Sequence, residues 1–146
     1  MTIESLHKLF EEQKPGGVYW LKNHAAVTEL TRICKKKGFA FFHIEGQKIE
    51  GKEQFLNAVS VAMHFPDYFG NNWDAFEDCL TDLDWIDAKG YVIYFDHTDG
   101  FASHHESQLE TVAELFQDAV TYWNGEGKPM VVLLSGSQPA EGVKSL

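Results

Sequence analysis

Two short runs, YVIYF at residues 91–95 and MVVLL at 130–134, are apolar at nearly every position. A strand with one face in water alternates apolar and polar residues, whereas one that is apolar throughout needs cover on both faces. Helices supply that cover when strands and helices alternate along the chain, and the sheet is then parallel. These two runs therefore predict a helix-covered parallel sheet, with other strands and helices found between and before them.

The remaining chain reads accordingly. GVYWL (17–21) predicts a short strand, and TELTRICKKKG a helix with Leu30, Ile33 and Cys34 on one face and Gly38 as its stop. FAFFHI (39–44) reads as a buried strand, and KEQFLNAVSVAM (52–63) as a helix whose inner face holds Phe55, Val59, Ala62 and Met63. After the break at Pro66, Asn71 or Asn72 can cap a helix running to about Leu83. HTDGFASHH reads as a loop or short helical turn, and a long helix follows from Glu106 to Trp123, ended by Gly125 and Gly127. Its inner face holds Leu109, Val112, Ala113, Phe116, Ala119, Val120 and Trp123. The expectation is a small α/β domain: three strands plus an extra N-terminal strand, packed with about five helices. Residues 1–16 and 136–146 are polar and read as a loose lead-in and a loose tail.

At 146 residues the chain reads as one domain, and no apolar run is long enough to span a membrane. The first residues lack the basic start and apolar stretch of a secretory signal. Cys34 and Cys79 form no metal-like spacing. A reduced cytoplasmic protein without a cofactor is the expectation. The charge is unevenly placed. From Phe65 to Gly127 there are fourteen Asp and Glu against one basic residue, Lys89, a net of −13, while the rest of the chain carries +3. Such a field repels phosphate backbones and anionic membranes and attracts basic proteins.

The densest acidity is in FPDYFGNNWDAFEDCLTDLDW, residues 65–85, with six carboxylates and no Lys or Arg. On a helix from 72 to 83, Asp74, Glu77, Asp78 and Asp82 share one side with Thr81, and Trp73, Phe76, Cys79, Leu80 and Leu83 take the other. Each like-charge i,i+4 pair costs about 0.2–0.5 kcal/mol, and Asp74/Asp78 and Asp78/Asp82 are both such pairs. The helix dipole favours only the acid of the first turn, Asp74. An outer face without any cation is either a merely solvated surface or a face kept for a basic partner.

The stretch Phe65-Pro-Asp-Tyr-Phe-Gly-Asn-Asn-Trp-Asp-Ala-Phe-Glu-Asp-Cys-Leu-Thr81 resembles the signature of the barstar family, protein inhibitors of guanine-preferring ribonucleases. The resemblance extends from about Phe39 to Leu134 and leaves VYWL and its helix, residues 17–38, as an added strand–helix unit before a barstar-like domain at 39–135. It implies a non-enzymatic inhibitor that binds one to one and plugs the active site of a basic extracellular or toxin ribonuclease. Tyr68 matches the family's aromatic contact, Gly70 and Asn72 the loop that approaches the enzyme, Asp74 and Asp78 its two dominant carboxylates. Thr81 matches a polar contact at the helix end, and Asp118 a further acid on the long helix. Glu77 stands where the family has tryptophan, Phe69 replaces a second tyrosine, and Asp82 replaces a glycine. Glu77 and Asp82 join the candidate contact set, and they allow a second reading in which the scaffold serves as an interaction module that no longer binds a ribonuclease.

A metal-dependent enzyme is the rival class. Asp96, His97, Asp99, His104 and His105 lie close in sequence, but they form neither HExxH nor an EF-hand loop. Nucleophilic chemistry has less support: Cys79 and Cys34 fall on apolar helix faces, and Ser135-Gly136-Ser137 lacks the glycine pattern of a nucleophile elbow. Gly125-Glu-Gly127-Lys128 reads as a turn rather than a phosphate loop.

Overall fold

A computed structural model describes residues 7–8, 16–140 and 142–145. Apart from His7, Lys8 and Gly16, the expected lead-in lies outside the described residues. The chain runs β1 (Gly17–Leu21), α1 (Val27–Lys37), β2 (Ala40–Ile44), a 3-10 turn (Gly46–Lys48), α2 (Lys52–Ala62), α3 (Trp73–Leu80), β3 (Tyr91–Phe95), α4 (Asp99–His104), α5 (Glu106–Gly125), β4 (Met130–Ser135) and β5 (Lys144–Ser145). This is the α/β domain with a parallel sheet that the apolar runs demand.

All strand pairs are parallel, in the order β2-β3-β4-β1-β5. β3 and β4, the runs YVIYF and MVVLLS, sit inside the sheet and are buried at every residue. Their side chains alternate between two cores. Tyr91, Ile93, Phe95, Met130, Val132 and Leu134 face the larger core with Phe55, Val59, Phe76, Leu80, Val112 and Phe116 of α2, α3 and α5. Val92, Tyr94, Val131 and Leu133 face a smaller core with Leu30 and Cys34 of α1. From β1 the chain moves across to β2 at the far edge, then steps back through β3 to β4. The reversal of direction puts α1 on one face and the later helices on the other, as right-handed crossovers require.

The sheet has one strand more than expected. Residues 144–145, read from sequence as part of a loose tail, pair in parallel with Tyr19 and Trp20 of β1. Two residues carry too little periodicity to be seen in sequence, and the pairing is set by β1's free edge. α1 ends as its sequence predicts: Gly38 adopts the left-handed conformation at φ 77° and donates its N–H to the helix's last carbonyls.

Phe55 of α2 is the hub of the larger core. It is fully buried, and its ring meets Phe76 of α3 at 5.4 Å, Phe95 of β3 at 5.3 Å, Phe101 of α4 at 5.8 Å and Phe116 of α5 at 6.4 Å. One side chain thus joins four elements, largely in the edge-to-face geometry aromatic rings prefer. Phe55→Ala is expected to destabilise by about 3–5 kcal/mol, seen as a lower urea midpoint at unchanged slope. A loss below about 1 kcal/mol would mean that the elements do not close on this ring.

Candidate functional site

The acidic stretch is built on α3, which starts where the asparagine cap predicts. Asn72 Oδ1 accepts from Ala75 N at 2.8 Å, and Asn72 Nδ2 donates to Gly70 O at 3.3 Å. One side chain therefore starts the helix and folds the preceding loop against it. Gly70 is closely placed, since a Cβ there would meet Asn72 Nδ2 at 3.3 Å. Asn71 takes a left-handed backbone at φ 51°, a conformation that asparagine tolerates better than most residues.

The helix is shorter than the sequence reading. It ends at Leu80 instead of running to Leu83. Thr81 Oγ1 donates back to Glu77 O at 3.0 Å, and Leu83 adopts φ 52° while its side chain is buried. A further turn would carry carboxylates into the negative end of the helix dipole, whereas the left-handed turn sends Leu83 into the core. Asp82 consequently leaves the helix, and the stacked arrangement of Asp78 over Asp82 does not form. Trp73 is half-buried rather than fully inward, packed on Phe55 at 6.2 Å and Phe76 at 6.3 Å, with Lys52 Nζ 5.2 Å from its ring centroid.

The remaining candidates divide by exposure. Asp74 and Asp78 are exposed on α3, and Asp118 is exposed on α5. Glu77 is half-buried, so the outward face expected of it is only partly realised. Tyr68 is 71% exposed, and its hydroxyl donates to Asp82 Oδ2 at 3.3 Å. Asp82 in turn shares a hydrogen bond with Asp84, which together with their mutual repulsion pushes the Asp84 carboxyl above its ordinary range. Among the described residues, none of Asp74, Glu77, Asp78, Asp82 or Asp118 is in an ion pair. Two tryptophans that sequence reasoning treated as core or passed over hold this face in place. Trp123 of α5 donates Nε1–H to Leu80 O at 2.8 Å, and Trp85 donates to Met63 O at 3.0 Å. The signal was present in the residue type, because a buried indole N–H seeks an acceptor.

The residues of the rival metal reading do not converge on one point, although Asp96 and His97 touch. Asp96, 6% exposed at the end of β3, accepts from His43 Nε2 at 2.8 Å, Gly46 N at 3.0 Å and His97 Nδ1 at 3.1 Å. Burial pushes its carboxyl up, but the three donors outweigh this and hold it below its ordinary value. Gly46 is required there, since a Cβ would collide with the Asp96 carbonyl. His104, the last residue of α4, and His105 just after it are exposed, and Asp99 Oδ1 accepts from Ser137 N at 2.6 Å. Among the described residues, no group of three or more His, Cys, Asp or Glu is placed to hold a metal ion. The thiols are inert by environment: burial pushes Cys34 up to about 12, and burial, then Asp82 and Asp78, raises Cys79.

Three outcomes test this geometry. Asn72→Ala should cost about 0.5–2 kcal/mol through loss of the cap. Asp78→Ala should leave stability equal or raise it by a few tenths of a kcal/mol, roughly the like-charge repulsion with Asp74. A clearly lower urea midpoint for the Asp78 variant would make that carboxylate structural. Asp96 works by linkage: its folded-state value is depressed, so its stabilisation is present above about pH 4, the unfolded range. It is lost as pH falls through the folded value. Asp96→Asn should therefore remove part of the acid-side fall in stability, measured as urea midpoints between about pH 2 and 5.

With the geometry in hand, comparisons place the chain among known proteins. The family model described as "Barstar (barnase inhibitor)" matches residues 39–135. A Bacillus subtilis (strain 168) protein named "Putative ribonuclease inhibitor YrdF" is 32% identical over 74 residues, covering 49% of this chain and 79% of that protein. Among solved structures, Drosophila ORC bound to DNA superposes at TM-score 0.62 with 17% identity, over 93% of this chain and 37% of that one. The Aeropyrum pernix ORC2 protein in its ADP form gives 0.58 with 12% identity, over 91% and 38%. The chain spans little more than a third of those solved chains, and at such identities the likeness is one of fold: a parallel sheet with helices on both faces. The Asn72 cap and the acidic helix fall inside the residues that the family model matches, and the chain belongs to the barstar family.

Proposed function

We propose that the protein is a cytoplasmic, non-enzymatic inhibitor of a basic ribonuclease of the barnase kind, binding one to one through α3 and the loop before it. The observation that carries this reading is the face itself. Asp74 and Asp78 are exposed on a side-chain-capped helix, with no ion-pair partner among the described residues. A rigid helix that presents unpaired carboxylates suits an active site that must hold cations around a phosphodiester. Each carboxylate takes the place of a phosphate oxygen and accepts the same charge-assisted hydrogen bonds, but offers no bond to cleave.

The other contacts have separate roles. Gly70 leaves the backbone of the loop open to close approach, and Asn72 keeps that loop in shape through its cap. Tyr68 supplies an exposed ring of the type enriched at interfaces. Thr81 has given its proton to Glu77 O and keeps its lone pairs for a partner's donor. Asp118 adds charge from α5, which packs against α3 through Phe116 and Phe76 at 5.6 Å. The net −13 between Phe65 and Gly127 speeds encounter with a basic partner and makes it salt-dependent. The barnase–barstar pair is itself the reference case for such steering and for charged hot spots.

Barnase is the direct probe. The protein should inhibit its cleavage of RNA at one-to-one stoichiometry, with association slowing as salt rises. Asp78→Ala should weaken binding by about 3–5 kcal/mol, because partner cations stay buried and unpaired. Unchanged affinity in that variant moves the site elsewhere on the surface. Failure to inhibit barnase and basic nucleases from the same cell favours the interaction-module reading, which Glu77 and Asp82 motivate.

A further inference from the structure

A second polar cluster lies away from the acidic helix, at the C-terminal edge of the sheet. β1 and β4 are neighbours whose following segments leave toward opposite faces, so their ends frame the topological switch point of the sheet. Residues from four strand ends meet here: His24 after β1, His43 on β2, Tyr94, Asp96 and His97 on and after β3, and Ser135 on β4.

Three hydrogen bonds run through the cluster in series. Ala25 N donates to Tyr94 Oη at 2.9 Å, Tyr94 Oη lies 3.1 Å from Ser135 Oγ, and Ser135 Oγ lies 2.9 Å from His24 Nδ1. Each hydroxyl owns one proton, so the series has a direction. Tyr94 is fully buried, and burial holds its hydroxyl above the ordinary range although its hydrogen bonds with Ser135 and Ala25 lower it, so the phenol keeps its proton. Ala25 N–H already occupies the phenol oxygen as an acceptor, and among the described residues the phenol's own proton has one acceptor within reach, Ser135 Oγ. Ser135 must then send its proton to His24 Nδ1. The opposite direction needs His24 Nδ1–H to donate to Ser135 and Ser135 to donate to Tyr94. That leaves a buried phenol proton with nothing to bond, a costly arrangement.

We infer that the relay from Ala25 N–H through Tyr94 and Ser135 ends on a bare Nδ1 of His24, and that it is an acid-released latch tying the β1–α1 junction to β3 and β4. A proton on Nδ1 turns the last acceptor into a donor. Ser135 Oγ can accept from both Tyr94 and His24, but the serine's own proton is then left with nothing to bond, and the relay no longer closes. The neighbours sharpen the effect. His97 stacks on His24 with ring centroids 4.0 Å apart and 20° between planes, and its own Nδ1 is 3.1 Å from Asp96 Oδ1. Asp96 accepts from His43, Gly46 and His97, and Asp99 Oδ1 accepts from Ser137 N, whereas the hydrogen bond of His24 is to Ser135. Lys22 shares the loop with His24 and adds positive charge. When both stacked rings carry protons, like charges face one another across the stack.

Nitrogen-15 NMR of the imidazoles, with amide hydrogen exchange at Ala25, tests this on the intact protein. At pH 8 His24 should show a bare Nδ1 and a protonated Nε2. Protection of the Ala25 amide should fall by up to about tenfold per pH unit once His24 takes up its proton. His24→Asn places a side-chain oxygen that can accept from Ser135 but does not titrate, so its Ala25 protection should stay flat over the same range. Ser135→Ala keeps the ring and removes the relay. It should also be flat, which keeps the test decisive if the asparagine variant fails to fold. An Nδ1–H tautomer at pH 8, or a wild-type pH response in a folded variant, overturns the inference.

Discussion

The burial of β3 and β4 on both faces is the constraint from which the rest of the structure follows. Each of their residues is withdrawn from water, so neither side of the sheet can be left open. α1 covers one side and α2, α3 and α5 cover the other, and this division requires the chain to reverse its direction of travel after β2. The reversal has two products. It creates the junction at the ends of β1 and β4 where His24 stacks on His97 and meets Ser135, and it brings α3 onto α5 with its acidic side outward.

Much of this was legible in the residues. The strand runs, the inner faces of α2 and α5, the Gly38 stop and the Asn72 cap are local patterns, and local patterns survive without knowledge of the partner they pack on. What was not legible depended on distant contacts. α3 stops at Leu80 because Leu83 is drawn into the core through a left-handed turn that no periodicity signals. Asp82 therefore lies off the helix, beside Tyr68 rather than above Asp78. β5 exists because β1 offers it an edge, and its two residues say nothing by themselves. Asp96 and its histidines are neighbours in sequence only in part, since His43 comes from a strand more than fifty residues earlier.

Within the acidic face, the structure distinguishes two kinds of carboxylate. Among the described residues, Asp74 and Asp78 have no ion-pair partner, so a partner protein would meet them without first breaking a salt bridge. Asp82 is engaged with Tyr68 and Asp84. By the sequence resemblance it stands where the family carries glycine, and its link to Tyr68 ties that departure to a proposed contact position. Under the proposed function, selectivity among related nucleases would lie at this end of the face, with the common electrostatic demand met by Asp74 and Asp78.

The two-residue β5 has a consequence for how the molecule behaves in a crowd. A long bare strand at a sheet edge is a template on which other chains can pair and grow into aggregates. β1 is apolar enough to be such a template, yet the chain lays its own Lys144 and Ser145 along that edge, and both are exposed. The outermost strand on this side is thus short and bears a charge, which is poor material for recruiting a neighbour.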